Sequence, residues 1–217
     1  PSSCATELTA VLSVSPSVES ESAPGTDLDD AAFTHLGLRR EVFEKAKNAF
    51  SKAWDAGETN KTVYTIIDYS KGSNQKRMWV IDMATGDVLF HDYVAHGKNS
   101  GWLRGDTMSN VNDSKTSNVG LLRTAETYYG RHGYSLKLDG LESGFNDKAR
   151  SRHIVMHASH YVTEAYIRSN GRAGRSWGCP AVDPAISKAL IEKIKGGSLV
   201  FGYAEDQKWL SDSKYLN

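Results

Sequence analysis

A thiol and an imidazole brought together across a loop are the least that thiol nucleophilic catalysis needs, and this chain offers both. Cys179 lies in G-R-S-W-G-C-P-A-V at 174–182, and R-H-I-V-M-H-A-S-H-Y at 152–161 supplies His153, His157 and His160. Gly178 lets the backbone approach a ligand, and Pro180 stiffens the turn behind the thiol. Asp183, four residues after Cys179, reads as a helix N-cap, so a helix N-terminus would favour the thiolate. Backbone N–H groups over 177–179, beside Ser176, are placed to cradle an oxyanion. The competing reading is a buried, inert cysteine in a Gly-rich turn.

Strand alternation separates the histidines. In an extended 153–160 run, His153, Val155, His157 and Ser159 face one way, and Ile154, Met156, Ala158 and His160 the other. Only one of His157 and His160 can then face the thiol. His153, His157 and Cys179 are conceivable zinc ligands, but no carboxylate or second Cys/His pair has ligand spacing, so neither metal nor cofactor is expected. Arg152 and Arg175 flank the motif and suit a bidentate grip on a substrate carboxylate; solvated surface charge is the alternative. His96, in V-A-H-G-K, either lines the cleft or makes a structural hydrogen bond at a hairpin end. Trp177 is a wall of the site, since an indole donates a hydrogen bond but cannot act as a base.

The elements that must hold these residues follow from periodicity. Val42, Phe43, Ala46, Ala49, Phe50, Ala53 and Trp54 form one apolar stripe, which predicts a helix over 38–56 stopped by Gly57. Strand-like runs rich in β-branched and aromatic residues follow at 63–69, 77–82 and 88–95. A polar Ser/Asn/Gly-rich loop spans 97–120, and further strands are expected at 121–127, 135–138, 153–158 and 198–203. Asp183 and Pro184 open a short helix that ends at Gly196 and Gly197. The pattern predicts a mainly β domain, a packed sheet or sandwich, with a long helix before it and a short one after the cysteine.

Residues 1–28, rich in Ser, Thr, Pro and Ala, read as a flexible leader with Cys4 as a tail cysteine, leaving 29–217 as one domain. The chain begins at Pro1, read as an upstream segment, a signal peptide among the options, having been removed or omitted. Lys+Arg and Asp+Glu both number 26, which argues against a nucleic-acid partner. No 18-residue apolar run exists, so no transmembrane segment is expected.

The stretches I-V-M-H-A-S-H-Y-V and G-R-A-G-R-S-W-G-C-P-A-V resemble the murein L,D-transpeptidase catalytic domain of the YkuD type, in its S-x-G-C-P-A branch. The resemblance extends over about residues 38–203. It implies a YkuD-like β-sandwich in which Cys179 attacks a peptidoglycan stem-peptide carbonyl, helped by Ser176 and Gly178. The wider family carries S-H-G-C at its nucleophile, and Trp177 replaces that histidine, so the base must come from upstream. The family's strand histidine falls on His157, 22 positions before Cys179; His160, at 19, fits the usual loop length better but lies outside the strand context. His157 is preferred as base, oriented by the Ala158 carbonyl, with His160 among the substrate-facing residues beside Arg152, Arg175, Trp177 and His96. The resemblance further implies a thioester, 3–3 cross-linking of tetrapeptide stems, acylation by carbapenems and a cell-envelope location for a monomer. L,D-carboxypeptidase activity and a non-catalytic wall-binding module remain the alternatives.

Overall fold

The computed structural model describes residues 22–217, so Cys4 and most of the expected leader lie outside the described residues. In chain order the elements are α1 (Ala31–Thr34), α2 (Arg40–Asp55), β1 (Val63–Asp68), β2 (Met78–Asp82), β3 (Val88–Asp92), β4 (Gly120–Gly130), β5 (Gly133–Gly140), β6 (Val155–Ala158), α3 (Glu164–Asn170), β7 (Ala181–Val182), α4 (Pro184–Ile194), β8 (Leu199–Tyr203) and α5 (Gln207–Asp212). The fold is mainly β. All eight strands belong to one sheet, in the order β3-β2-β1-β8-β4-β5-β6-β7.

That sheet curls until its two edge strands meet, as a near-barrel. Just beyond β3, the Ala95 N–H donates to the Ala181 carbonyl of β7 at 2.9 Å, and Gly97 pairs in parallel with Ser176. The seam therefore runs beside the nucleophile motif. α2 turns its apolar stripe onto the sheet: Val42, Phe43, Ala46, Ala49, Phe50 and Ala53 are all buried. Phe50 packs on Tyr64 of β1 with ring centroids 5.0 Å apart, and the Tyr64 hydroxyl donates to the Ala46 carbonyl at 3.0 Å. Burying each such large side chain contributes about 1.5–3 kcal/mol. Leu190, Ile191 and Ile194 do the same for α4, and α2 and α4 both pack against β1.

Three helices, α1, α3 and α5, escape the periodicity reading because they are short. Thr163 caps α3, accepting from the Tyr166 N–H, and Gly171 ends it with φ 72°; Asp206 caps α5 through the Trp209 N–H. Those caps are local signals that could have revealed α3 and α5. The strand expected from residue 153 begins instead at Val155, because His153 sits in the left-handed region at φ 55°.

Candidate active site

β6 and β7 run in parallel with His157 opposite Ala181, which brings Cys179 alongside Val155. The Val155 N–H donates to Cys179 Sγ at 3.5 Å, and the thiol in turn donates to the His153 carbonyl at 3.6 Å. The left-handed turn at His153, costing about 1–2 kcal/mol for a non-glycine residue, presents that carbonyl to the thiol. Gly178 is required where it stands: its φ is +127°, and a Cβ there would meet the Thr116 carbonyl oxygen at 2.6 Å. Ser176 fastens the turn, accepting from the Gly178 N–H at 3.0 Å and donating to the Cys179 carbonyl at 2.7 Å.

Those bonds correct two sequence expectations. The Gly178 N–H is already engaged by Ser176, whereas the N–H groups of Trp177 and Cys179 have no protein acceptor among the described residues. An oxyanion cradle is thus reduced to those two donors. The thiol is also not pre-ionised: burial pushes its pKa up, outweighing the Val155 N–H and the Arg152 charge, which pull it down. Nor does α4 lend its N-terminus freely, because the Asp183 carboxylate already caps it at the Ala185 N–H, 2.8 Å away.

His157 is 2% exposed on β6. Its Nδ1 lies 2.9 Å from the Ala158 carbonyl; a carbonyl only accepts, so Nδ1 carries the proton and Nε2 presents its lone pair. Burial lowers the His157 pKa, with His132 reinforcing the shift, so the ring is a neutral base. His132, at the β4–β5 hairpin tip, stacks on His157 at 4.2 Å. Sequence reading missed it, since nothing local links residues 25 positions apart. His157 is not among the thiol's hydrogen-bond partners in this arrangement.

The other expected residues divide sharply. His160 leaves the strand for a 3₁₀ turn, exposed and edge-on to Tyr161 and Tyr166. Trp177 is 71% exposed, with the Lys115 ammonium 4.9 Å from its ring centroid. Arg152 stands near the thiol, but its guanidinium is tied down by the Ser109 and Thr116 carbonyls, Asn118 Oδ1 and Ser114 Oγ at 2.6–3.0 Å. It fastens the 109–118 loop rather than offering an open fork. His96 is wholly buried and does not line a cleft. Arg77 Nη2 donates to its Nδ1 at 2.7 Å, which leaves Nε2–H for the Gly101 carbonyl at 3.3 Å. Arg175 remains at the surface, donating to the Lys98 and Gly101 carbonyls.

Beside the nucleophile, a cavity of about 330 Å³ is bordered by His153, Ile154 and Val155, the backbone that holds the thiol, and by Tyr128, Lys137 and Arg150. Its cations are balanced, since both Lys137 and Arg150 pair with Glu126. No group of three metal-ligating side chains exists among the described residues.

The L,D-transpeptidase catalytic domain family model matches residues 34–203. Among solved structures, the chain is similar to an L,D-transpeptidase from Mycobacterium smegmatis, with 13% identity, TM-score 0.41, and 66% of this chain and 59% of that one covered. It is also similar to an L,D-transpeptidase from Stackebrandtia nassauensis, with 16% identity, TM-score 0.40 and coverages of 81% and 75%. A third is the avibactam carbamoyl enzyme of Ldtfm, at 14% identity, TM-score 0.43 and coverages of 75% and 64%. The chain thus spans less than two thirds of the length of two of these three structures. No curated protein sequence matches it.

Proposed function

Because this chain belongs to the L,D-transpeptidase catalytic domain family, we propose that it is a peptidoglycan L,D-transpeptidase working through a Cys179 thioester in the cell envelope. One observation carries the reading. The strand that holds the thiol through the Val155 N–H also carries, two residues on, a neutral imidazole with Nε2 free.

The chemistry starts from a neutral pair, not an ion pair. Rotation of the Cys179 side chain takes the thiol off the His153 carbonyl and toward His157. As sulfur bonds to the carbonyl carbon of the third stem residue, the S–H proton passes to His157 Nε2. The Ala158 carbonyl holds the ring and steadies the imidazolium. The Trp177 and Cys179 N–H groups are the donors available to the oxyanion. Collapse breaks the peptide bond to the terminal D-alanine, whose amine takes the proton from His157. An amine of a second stem then attacks the thioester, loses its proton to His157 and forms a 3–3 cross-link, freeing the thiol. Water in place of that amine makes the same site an L,D-carboxypeptidase.

The test is incubation with tetrapeptide stems, followed by mass spectrometry of intact protein and of products. The parent should show an acyl adduct on Cys179 and release D-alanine, and a carbapenem should map to the same residue. Cys179→Ala, checked for folding by circular dichroism, should form no product; product at the parent rate sinks the thiol mechanism.

A further inference from the structure

On the segment leading into the nucleophile turn, Arg172 and Arg175 crowd onto a single exposed indole. The Arg172 guanidinium lies 3.8 Å and that of Arg175 4.7 Å from the ring centroid of Trp102, which is 64% exposed. Neither arginine has a carboxylate within ion-pair distance among the described residues, although ten other Lys and Arg side chains do. Each uses one nitrogen, Nη1, to fasten the loop: Arg172 to the Ala173 carbonyl, Arg175 to those of Lys98 and Gly101. Their Nε and Nη2 groups have no protein acceptor among the described residues.

Two like charges against one ring repel, and repulsion by Arg175 adds to burial in lowering the Arg172 pKa. A fold that only needed to weld these loops would gain more from one arginine, or from an arginine with an acid. The balanced Arg150, shared between Glu126 and Asp139, is the contrast within the same molecule. Two guanidiniums beside one indole, each held through Nη1 and each keeping Nε and Nη2 as spare donors, fit a planar oxyanion. Arg175 directly precedes Ser176, which ties down Cys179, so the pair stands at the edge of the nucleophile turn.

The geometry points to a carboxylate subsite formed by Arg172 and Arg175 on Trp102, which takes a carboxylate of the peptide substrate. This deepens the proposed function and rests on it for the peptide, while the subsite itself can be read without turnover.

The experiment follows the Trp102 indole N–H resonance, assigned through Trp102→Phe, during titration of the full chain. N-acetyl-D-alanine should shift it in a saturable way, and N-acetyl-D-alanine amide should not. Arg172→Gln and Arg175→Gln should each weaken the response about tenfold or more, as expected for loss of a charge-assisted hydrogen bond, and the double variant should abolish it. Arg175→Lys should fall between parent and Gln, since it keeps the charge and loses the fork. An unmoved resonance in the parent, an equal response to the amide, or a double variant that binds like the parent overturns the subsite. So does inorganic phosphate binding more tightly than the carboxylate. Stem-peptide turnover by the parent is scored alongside: a Trp102 response without turnover refutes the proposed function and leaves the subsite standing, and turnover without a response does the reverse.

Discussion

His157 and His96 are alike in almost every respect that a sequence or a burial profile records. Both are buried, both have pKa values pulled down by burial, and both set a ring nitrogen against a backbone carbonyl. They differ in the second nitrogen. His96 has Arg77 at 2.7 Å on one side and Gly101 on the other, so its ring is fully engaged, and its pKa falls to about 3. His157 has a carbonyl on one side and an unengaged Nε2 on the other. Burial thus makes a neutral imidazole at both places, but only an unclaimed lone pair makes a base.

The largest effect that would break this contrast is on rate. His157→Gln should lower kcat/KM by about 10²–10⁴-fold and leave the thermal midpoint nearly unchanged. Steady-state assays with tetrapeptide stems beside thermal melts decide it; equal loss of rate and stability would make His157 structural too. His96→Leu should do the opposite. It should destabilise by about 1–3 kcal/mol through the unsatisfied Arg77 donor, with turnover per folded molecule close to parent, as read from urea titrations and active-site counting.

A smaller effect separates the two by pH. His96 has an ordinary value of 6.5 and a folded value of about 3. Between those values the unfolded chain binds the extra proton, so stability is complete above pH 6.5 and drains away as pH falls. The slope approaches about 1.4 kcal/mol per pH unit for one such group. His157 is shifted the same way and adds to the slope. Urea midpoints at pH 7, 6 and 5 should fall steeply for the parent and less steeply for His96→Leu; matching slopes would remove His96 from the account. The smallest effects should come from the exposed neighbours. Trp177→Phe and His160→Gln should each keep turnover within about fivefold, in the range of substitutions away from reacting atoms, and a loss matching that of His157→Gln would move the base to His160.

What the sequence made legible was local. The α2 stripe, the strand carrying His157, the N-cap at Asp183 and the glycine before Cys179 are written in neighbouring residues. Strand alternation also parted His157 from His160, although for a slightly wrong reason: the strand stops at Ala158, and His160 turns away in a 3₁₀ turn. The misses are long-range. His132 reaches His157 from the hairpin tip, Arg77 just ahead of β2 reaches His96 beyond β3, and Arg152, neither an open fork nor a solvated charge, is held by four acceptors on a distant loop. The thiolate expected from the helix N-terminus failed on competition, because Asp183 occupies that end and burial outweighs what remains.

The bonds that tie the α3 excursion to β7 and to the sheet seam bear on how the chain could be cut. The Ser159 N–H is held by the Val182 carbonyl, Gly174 by Tyr161, and Ser176 by His96, each at 2.8–2.9 Å. The excursion containing α3 is therefore pinned at both roots, and thiol and imidazole are registered through the barrel wall rather than along the polypeptide between them. A protease nick at the exposed Arg168 would leave two fragments of one particle, with Cys179 on one and His157 on the other, still held in the β6–β7 register.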